Sequence, residues 1–92
     1  MRISEHISSK EGTYSRTALR LGIKNKPNKT QLKNMMLLAD EVFEPLRTYA
    51  NGPIKINSFF RSPELNKAIG GSTKSQHCNG QAIDIDDTYG HL

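Results

Sequence analysis

The clearest hydrophobic pattern runs through the middle of the chain. From residue 32 onward, apolar residues recur at intervals of three and four, as on the buried face of an amphipathic helix. These positions are Leu32, Met35, Met36, Ala39, Val42, Phe43 and Leu46. Asn28 can cap this helix, with Gln31 reaching back to it as in a capping box. Because Pro45 lacks a backbone donor, we expect the helix to kink or tighten near its last turn.

A shorter helix is predicted earlier, over residues 13–22. Its apolar residues Ala18, Leu19 and Leu21 are expected to face a core, and Gly22 is a C-terminal stop. No repeat or long linker is visible, so the chain is predicted to form helices first and strands afterwards. The expected fold class is α+β.

Alternation of residue types predicts a strand over residues 54–60, in which Ile54 and Ile56 face away from Lys55 and Asn57. Ser62 then caps a helix that begins at Pro63 and ends at the Gly70–Gly71 pair. Arg61 is thereby placed at a strand-to-helix junction.

A second strand is predicted over residues 81–86, with Ile83 and Ile85 on one face and Ala82, Asp84 and Asp86 on the other. His77 lies in the loop before it, so an imidazole and a carboxylate can meet at one point. Such a donor pair suits zinc. On spacing alone this evidence is weak, and a surface histidine beside a strand-end aspartate is the alternative.

Length and composition fit a single domain over residues 1–92, with 35% hydrophobic and 24% charged positions. No membrane span or secretory signal is recognisable, so we expect a chain that is cytoplasmic as synthesised. A single cysteine, Cys78, excludes an internal disulfide framework.

Charge is distributed unevenly: residues 1–34 contain eight basic and two acidic side chains, whereas residues 35–92 contain five and seven. A basic N-terminal half could favour nucleic acid or an anionic cell-wall polymer. No aromatic ladder or helix-turn-helix signature accompanies the basic residues, so nucleic-acid binding is not expected. A solvated basic face is the simpler interpretation.

The pattern SxHxxGxAxD, formed by Ser75, His77, Gly80, Ala82 and Asp84, resembles the signature of the zinc D-alanyl-D-alanine carboxypeptidase family. The segment INSFFRSPELNKAIGGSTKSQH resembles the strand, arginine and short helix that precede this signature in the family. The segment GIKNKPNKTQLKNMMLLADEVFEPLR resembles the long helix of small cell-wall peptidases found in phages and prophages. The resemblance implies a hedgehog/D-Ala-D-Ala metallopeptidase fold, with N-terminal helices packed on a small antiparallel sheet.

The resemblance further implies that His77 and Asp84 are zinc ligands, and that Arg61 binds the substrate and holds the developing oxyanion. It implies that Ser75 contacts the substrate or supports the site. For Arg61 the alternative is a salt bridge to Glu64 or a strand-end cap, and for Ser75 an ordinary loop hydrogen bond.

A catalytic zinc site normally has three protein ligands, and the matched motif contains two. In the family, the third is a downstream histidine that follows a glutamate acting as general base. His91 does not match that pattern, so we expect the domain to be incomplete at its C-terminus, with its last strands missing. Cys78 is expected to be a buried, inert thiol whose side chain points away from His77 in an extended loop, and His6 a surface or packing residue.

Two hypotheses follow from this ligand count. In the first, the chain is the N-terminal portion of a zinc peptidase that cleaves peptidoglycan stem peptides at a D-amino-acid bond and acts on the cell wall once released. In the second, it is a non-catalytic cell-wall-binding module derived from that fold. The expected partner is a peptidoglycan peptide, and we expect a monomer that does not bind membranes.

Overall fold

The structure, a computed structural model, describes residues 2–90, and its helices and small antiparallel sheets confirm the predicted α+β class. In chain order the elements are β1 (Arg2–Ser4), β2 (Ile7–Ser8), α1 (Ser9–Gly12), α2 (Arg16–Leu21), α3 (Lys29–Leu38), a π-helical segment (Ala39–Phe43), α4 (Glu44–Ala50), β3 (Lys55–Ser58), α5 (Pro63–Ala68), a 3₁₀ turn (Gln76–Asn79) and β4 (Asp84–Asp86). Within this range, no helix combines the length and the apolar character needed to cross a membrane.

The chain begins with a β-hairpin, so the expectation of helices first was wrong. Strands β1 and β2 pair antiparallel, and their residues Ile3 and Ile7 are buried in the core. Strands of three and two residues are too short for alternation to be visible in the sequence.

Helix α2 is shorter than the predicted 13–22 segment because Ser15 caps it, its side chain accepting from the backbone of Ala18. Gly22 ends it in the left-handed conformation, as predicted. Ala18 is buried, but Leu19 and Leu21 are 73% and 49% exposed, so their predicted core positions were wrong. In a six-residue helix only a narrow face reaches the core.

The long central helix begins as predicted, with Asn28 and Gln31 forming a reciprocal capping box. It extends to Ala50, beyond the predicted apolar pattern. The turn before Pro45 widens into a π-helical segment instead of tightening, and Glu44 N–H bonds to the carbonyl of Ala39. A wider turn is one way to accommodate a proline, whose ring would clash with the carbonyl four residues earlier.

The central helix buries fewer of its side chains than the apolar pattern predicted. Met35, Ala39 and Phe43 follow one another at intervals of four and are buried. Met36 and Val42 are 38% and 51% exposed, so the prediction that they are core residues was wrong.

Strands β3 and β4 form a second antiparallel pair, with Ile56 opposite Ile85 and Ser58 opposite Asp84. An irregularity between Ile56 and Ser58 shifts the register. Both strands are shorter than predicted: β3 ends at Ser58, and β4 begins at Asp84.

Strand β3 ends where Phe59 and Phe60 both enter the core, which breaks the alternation predicted to continue to residue 60. The buried core cluster joins the hairpin, the central helix and this segment, and comprises Ile3, Ile7, Met35, Ala39, Phe43, Ile54, Phe59 and Phe60. Ile83 and Ile85 of the second strand region pack against it, on the face predicted for them.

Gly80 ends the 3₁₀ turn in the left-handed conformation, at φ 73°, and lies against α3. A Cβ atom there would lie 2.5 Å from the carbonyl oxygen of Gln31 and 2.7 Å from Cγ of Met35. Only glycine permits both this backbone conformation and this approach.

We predict that Gly80→Ala lowers the free energy of unfolding by about 2–5 kcal/mol, because left-handed strain and a backbone clash add together. Gly70→Ala is the matched control, since Gly70 has φ 76° but nothing within 4 Å of an added Cβ. The control should lose about 1–2 kcal/mol. Urea denaturation measures both variants, and equal losses would contradict the close packing of the turn on α3.

Candidate metal centre

Arg61 lies at the junction between β3 and α5, as predicted from the sequence. The Ser62 side chain accepts from the backbone of Leu65 and so begins α5, with Pro63 as its first residue. Arg61 Nε donates to Ser58 Oγ at 3.0 Å, which holds the guanidinium beside the end of β3. Among the described residues Arg61 pairs with groups on the strand pair and not with Glu64; its bond to Ser58, the last residue of β3, is a strand-end contact, the other alternative considered from the sequence.

Asn25 fixes this junction to the N-terminal part of the chain, and sequence reasoning missed it. Its side-chain amide donates to the carbonyls of Thr13 and Phe60, at 2.9 and 3.0 Å. Its side-chain oxygen accepts from the backbone of Ser62 at 2.6 Å. An asparagine in a turn segment is an ordinary sequence feature, so only the fold shows this role.

His77 lies in a 3₁₀ turn that docks on the same junction. Ser75 caps the turn, its hydroxyl accepting from the His77 backbone at 3.3 Å. His77 Nδ1 contacts the carbonyl oxygen of Phe59 at 2.7 Å, and Arg61 N–H donates to the carbonyl of His77 at 3.3 Å. The imidazole is buried, with only 8% of the residue exposed.

Two amide side chains of α3 hold the other side of the turn. Gln31 Nε2 donates to the carbonyl of Cys78 at 3.0 Å, and Asn34 Nδ2 donates to the carbonyl of Asn79 at 2.9 Å. The predicted capping role of Gln31 is confirmed, but these contacts between distant parts of the chain were not foreseen. The turn is consequently fixed on two sides.

Asp84 completes the arrangement from β4. Its Oδ2 lies 3.3 Å from His77 Nε2 and 3.4 Å from Arg61 Nη2. The side chains of His77 and Arg61 are 11% and 20% exposed, whereas that of Asp84 is 54% exposed. The fold thus brings together the three residues that the motif resemblance assigns to the site, on a face open to solvent.

The hydrogen bonds favour a cation between His77 and Asp84. A carbonyl oxygen can only accept, so the contact with Phe59 places the proton on His77 Nδ1. Nε2 faces the Asp84 carboxylate, and a ring nitrogen and a carboxylate oxygen 3.3 Å apart are held together by a proton or a metal ion between them. The donor pair fits zinc, which binds imidazole nitrogen and carboxylate oxygen.

Among residues 2–90, no third histidine, cysteine, aspartate or glutamate joins His77 and Asp84 in a ligand cluster. His91 lies outside the described residues. Cys78 is half-buried in the 3₁₀ turn, so the expected extended loop and fully buried thiol were wrong. The hydroxyl of Ser75 caps that turn, and its predicted contact with substrate stays a prediction.

Asp86, on the same strand as Asp84, is occupied by local hydrogen bonds. The Thr88 hydroxyl, then the side chain of Asn57 and the Thr88 backbone, lower the pKa of Asp86 below its ordinary value. The Asp86 carboxylate therefore stabilises the turn after β4.

A second group of possible metal ligands, Glu5, His6 and Glu44, lies where the hairpin meets α4. Glu44 Oε1 is 2.6 Å from His6 Nδ1, and Oε2 accepts from Ser4 Oγ at 2.5 Å and from the His6 backbone at 2.9 Å. Burial raises the pKa of Glu44, but the hydrogen bonds from Ser4 and His6 outweigh it, so the pKa lies below the ordinary value of 4.5. These contacts anchor the hairpin to α4.

We predict that Glu44→Gln lowers the free energy of unfolding at neutral pH. Because the folded-state pKa is depressed, the stabilisation is present above 4.5 and is lost as the pH falls through the folded value. The deficit of the variant should therefore shrink between about pH 5 and about pH 3 in urea unfolding experiments. Glu41→Gln, at an exposed position one turn earlier, is the control, and a deficit that does not change with pH would contradict the anchor.

We predict that zinc binds at His77 and Asp84 and not at the hairpin cluster. In a titration followed by calorimetry, His77→Ala should weaken binding by more than about 10-fold, since even loss of a group that only supports a ligand costs about 10- to 100-fold. The same substitution at His6 should leave the affinity unchanged. Weakening by His6→Ala alone would place the ion at Glu5, His6 and Glu44 instead.

The chain matches a known protein family over most of its length. The family model described as Peptidase M15 matches residues 5–90. Searches of curated proteins and of solved structures gave no match. The match confirms the predicted peptidase family, whereas the D-alanyl-D-alanine carboxypeptidase and phage-type assignments stay predictions. The chain therefore belongs to the peptidase M15 family, whose members are metallopeptidases.

Proposed function

We propose that this domain belongs to a zinc-dependent peptidase that hydrolyses peptidoglycan stem peptides at a D-amino-acid bond. The observation that carries the proposal is the meeting of His77 Nε2, Asp84 Oδ2 and the Arg61 guanidinium at one open face. The substrate class rests on the resemblance of the SxHxxGxAxD pattern. Action on the cell wall after release from the cytoplasm is part of the same proposal.

His77 and Asp84 would hold the ion. Zinc, when bound, supplies Lewis acidity and lowers the pKa of a coordinated water to about 7. The Phe59 carbonyl accepts from Nδ1 of His77, so Nε2 is the ring nitrogen directed at the site. The docked turn fixes the ring before any ligand arrives, so little ordering remains to oppose binding.

Arg61 would bind the scissile carbonyl and stabilise the negative charge that develops on its oxygen. Its Nε is engaged by Ser58 and its Nη2 lies near Asp84, which leaves further N–H groups of the planar guanidinium for the substrate. Preorganised donors of this kind need no rearrangement as charge develops.

A non-catalytic cell-wall-binding module is the second candidate. The observation that favours it is that residues 2–90 provide two ligands at this face and no third. Such a module would retain the binding face and use the basic N-terminal half against an anionic polymer.

Hydrolysis of a purified muropeptide by the zinc-loaded protein separates the two candidates. Asp84→Asn should abolish hydrolysis, and Arg61→Lys should lower kcat by about 10²- to 10³-fold, the usual cost of losing an oxyanion donor. Asp40→Asn, the same change at an exposed helical position, should have no effect. Hydrolysis that survives Asp84→Asn would contradict the assigned site, and retention on insoluble cell wall without hydrolysis would favour the binding module.

A further inference from the structure

A cavity of about 370 Å³ lies between α2, β3 and α5 and adjoins the candidate metal centre through Arg61. Apolar side chains of Ile56, Phe60 and Leu65 contribute to its lining. Arg16 and Lys55 line it as well, and none of its described lining residues is acidic. The cavity is thus apolar in part, and its charged lining residues are all cationic.

Arg16 and Lys55, unlike Arg61, do not belong to the candidate metal centre. Arg16 is exposed, and among residues 2–90 its guanidinium has no hydrogen-bond or ion-pair partner. Lys55 is exposed at the start of β3, opposite Asp86, whose carboxylate it attracts from outside the cavity lining. Two cations that line one cavity without an acidic lining residue favour an anionic ligand.

We infer that this cavity is a subsite for a carboxylate-bearing segment of the substrate peptide, with Arg16 and Lys55 binding the carboxylate. The inference rests on the proposed peptidase function, because Arg61 would join the subsite to the scissile carbonyl. A planar guanidinium matches a carboxylate with parallel hydrogen bonds. The apolar lining suits the methyl groups of a short aliphatic peptide, and the volume falls within the range of small-ligand sites.

A binding experiment on the metal-free protein tests the subsite without requiring catalysis. The probes are N-acetyl-D-alanyl-D-alanine and its C-terminal amide, which differ only in the carboxylate. We expect the wild-type protein to bind the acid about 10-fold more tightly than the amide, as for charge-assisted hydrogen bonds. Chemical shift changes in nitrogen–proton NMR spectra should be largest around Ile56 and Asn57, which line the cavity.

Arg16→Gln and Lys55→Gln should each reduce the preference for the acid toward equal binding. Arg20→Gln is the matched control, because Arg20 lies on the same helix but does not line this cavity, and it should keep the preference. Equal binding of acid and amide by the wild type, or equal effects of Arg16→Gln and Arg20→Gln, would overturn the inference. So would binding of neither probe.

Competition with inorganic phosphate is a second test of the subsite. Displacement of the peptide acid by phosphate at least as readily as by acetate would identify a general site for anionic polymers and overturn the peptide subsite. Failure of the proposed function is distinguishable from these outcomes: a preserved, Arg16-dependent preference without hydrolysis by the zinc-loaded protein would reject the peptidase and leave the subsite standing.

Discussion

The hydrogen bond between buried His77 Nδ1 and the carbonyl of Phe59 is the contact on which the candidate site depends. It fixes the tautomer and orientation of the imidazole at the same time. The carbonyl can hold this position because Phe59 and Phe60 are both anchored in the core. A buried acceptor left without its donor would cost about 1–3 kcal/mol, so the fold and the site are stabilised by the same bond.

Helix α3 is the platform that makes this docking possible. Its capping box fixes where the helix begins, Met35 secures it in the core, and Gln31 and Asn34 bind the far side of the His77 turn. Gly80 lets the backbone of the turn approach the helix without a side chain between them. The glycine of the motif is therefore explained by packing.

The two histidine clusters show how similar donors acquire different roles. His77 is buried, and its Nδ1 is bonded to a carbonyl, which leaves Nε2 directed at a carboxylate. His6 is exposed, and its Nδ1 contacts Glu44 directly. Both oxygens of Glu44 already accept hydrogen bonds. A metal ion would therefore stabilise the Glu44 carboxylate less than that of Asp84.

Local features that depend on neighbouring residues could be predicted from the sequence. The Asn28–Gln31 capping box, the Ser62–Pro63 helix start, the position of Arg61, the inward face of Ile83 and Ile85 and the peptidase family were all predicted correctly. Each of these predictions rests on residue types at short spacing or on a motif. Such patterns are visible within a short stretch of the sequence.

Features that depend on distant residues arise only when the chain folds. The hairpin is held by contacts with Glu44, the exposure of Leu19 and Val42 depends on helix length and on the π-helical segment, and Asn25 joins segments separated by 35 residues. The meeting of His77 with Asp84 was expected from the motif, but the Phe59 carbonyl that orients the ring was not. A backbone carbonyl has no signature in the sequence, so which carbonyl meets the imidazole is settled only when the two phenylalanines pack into the core.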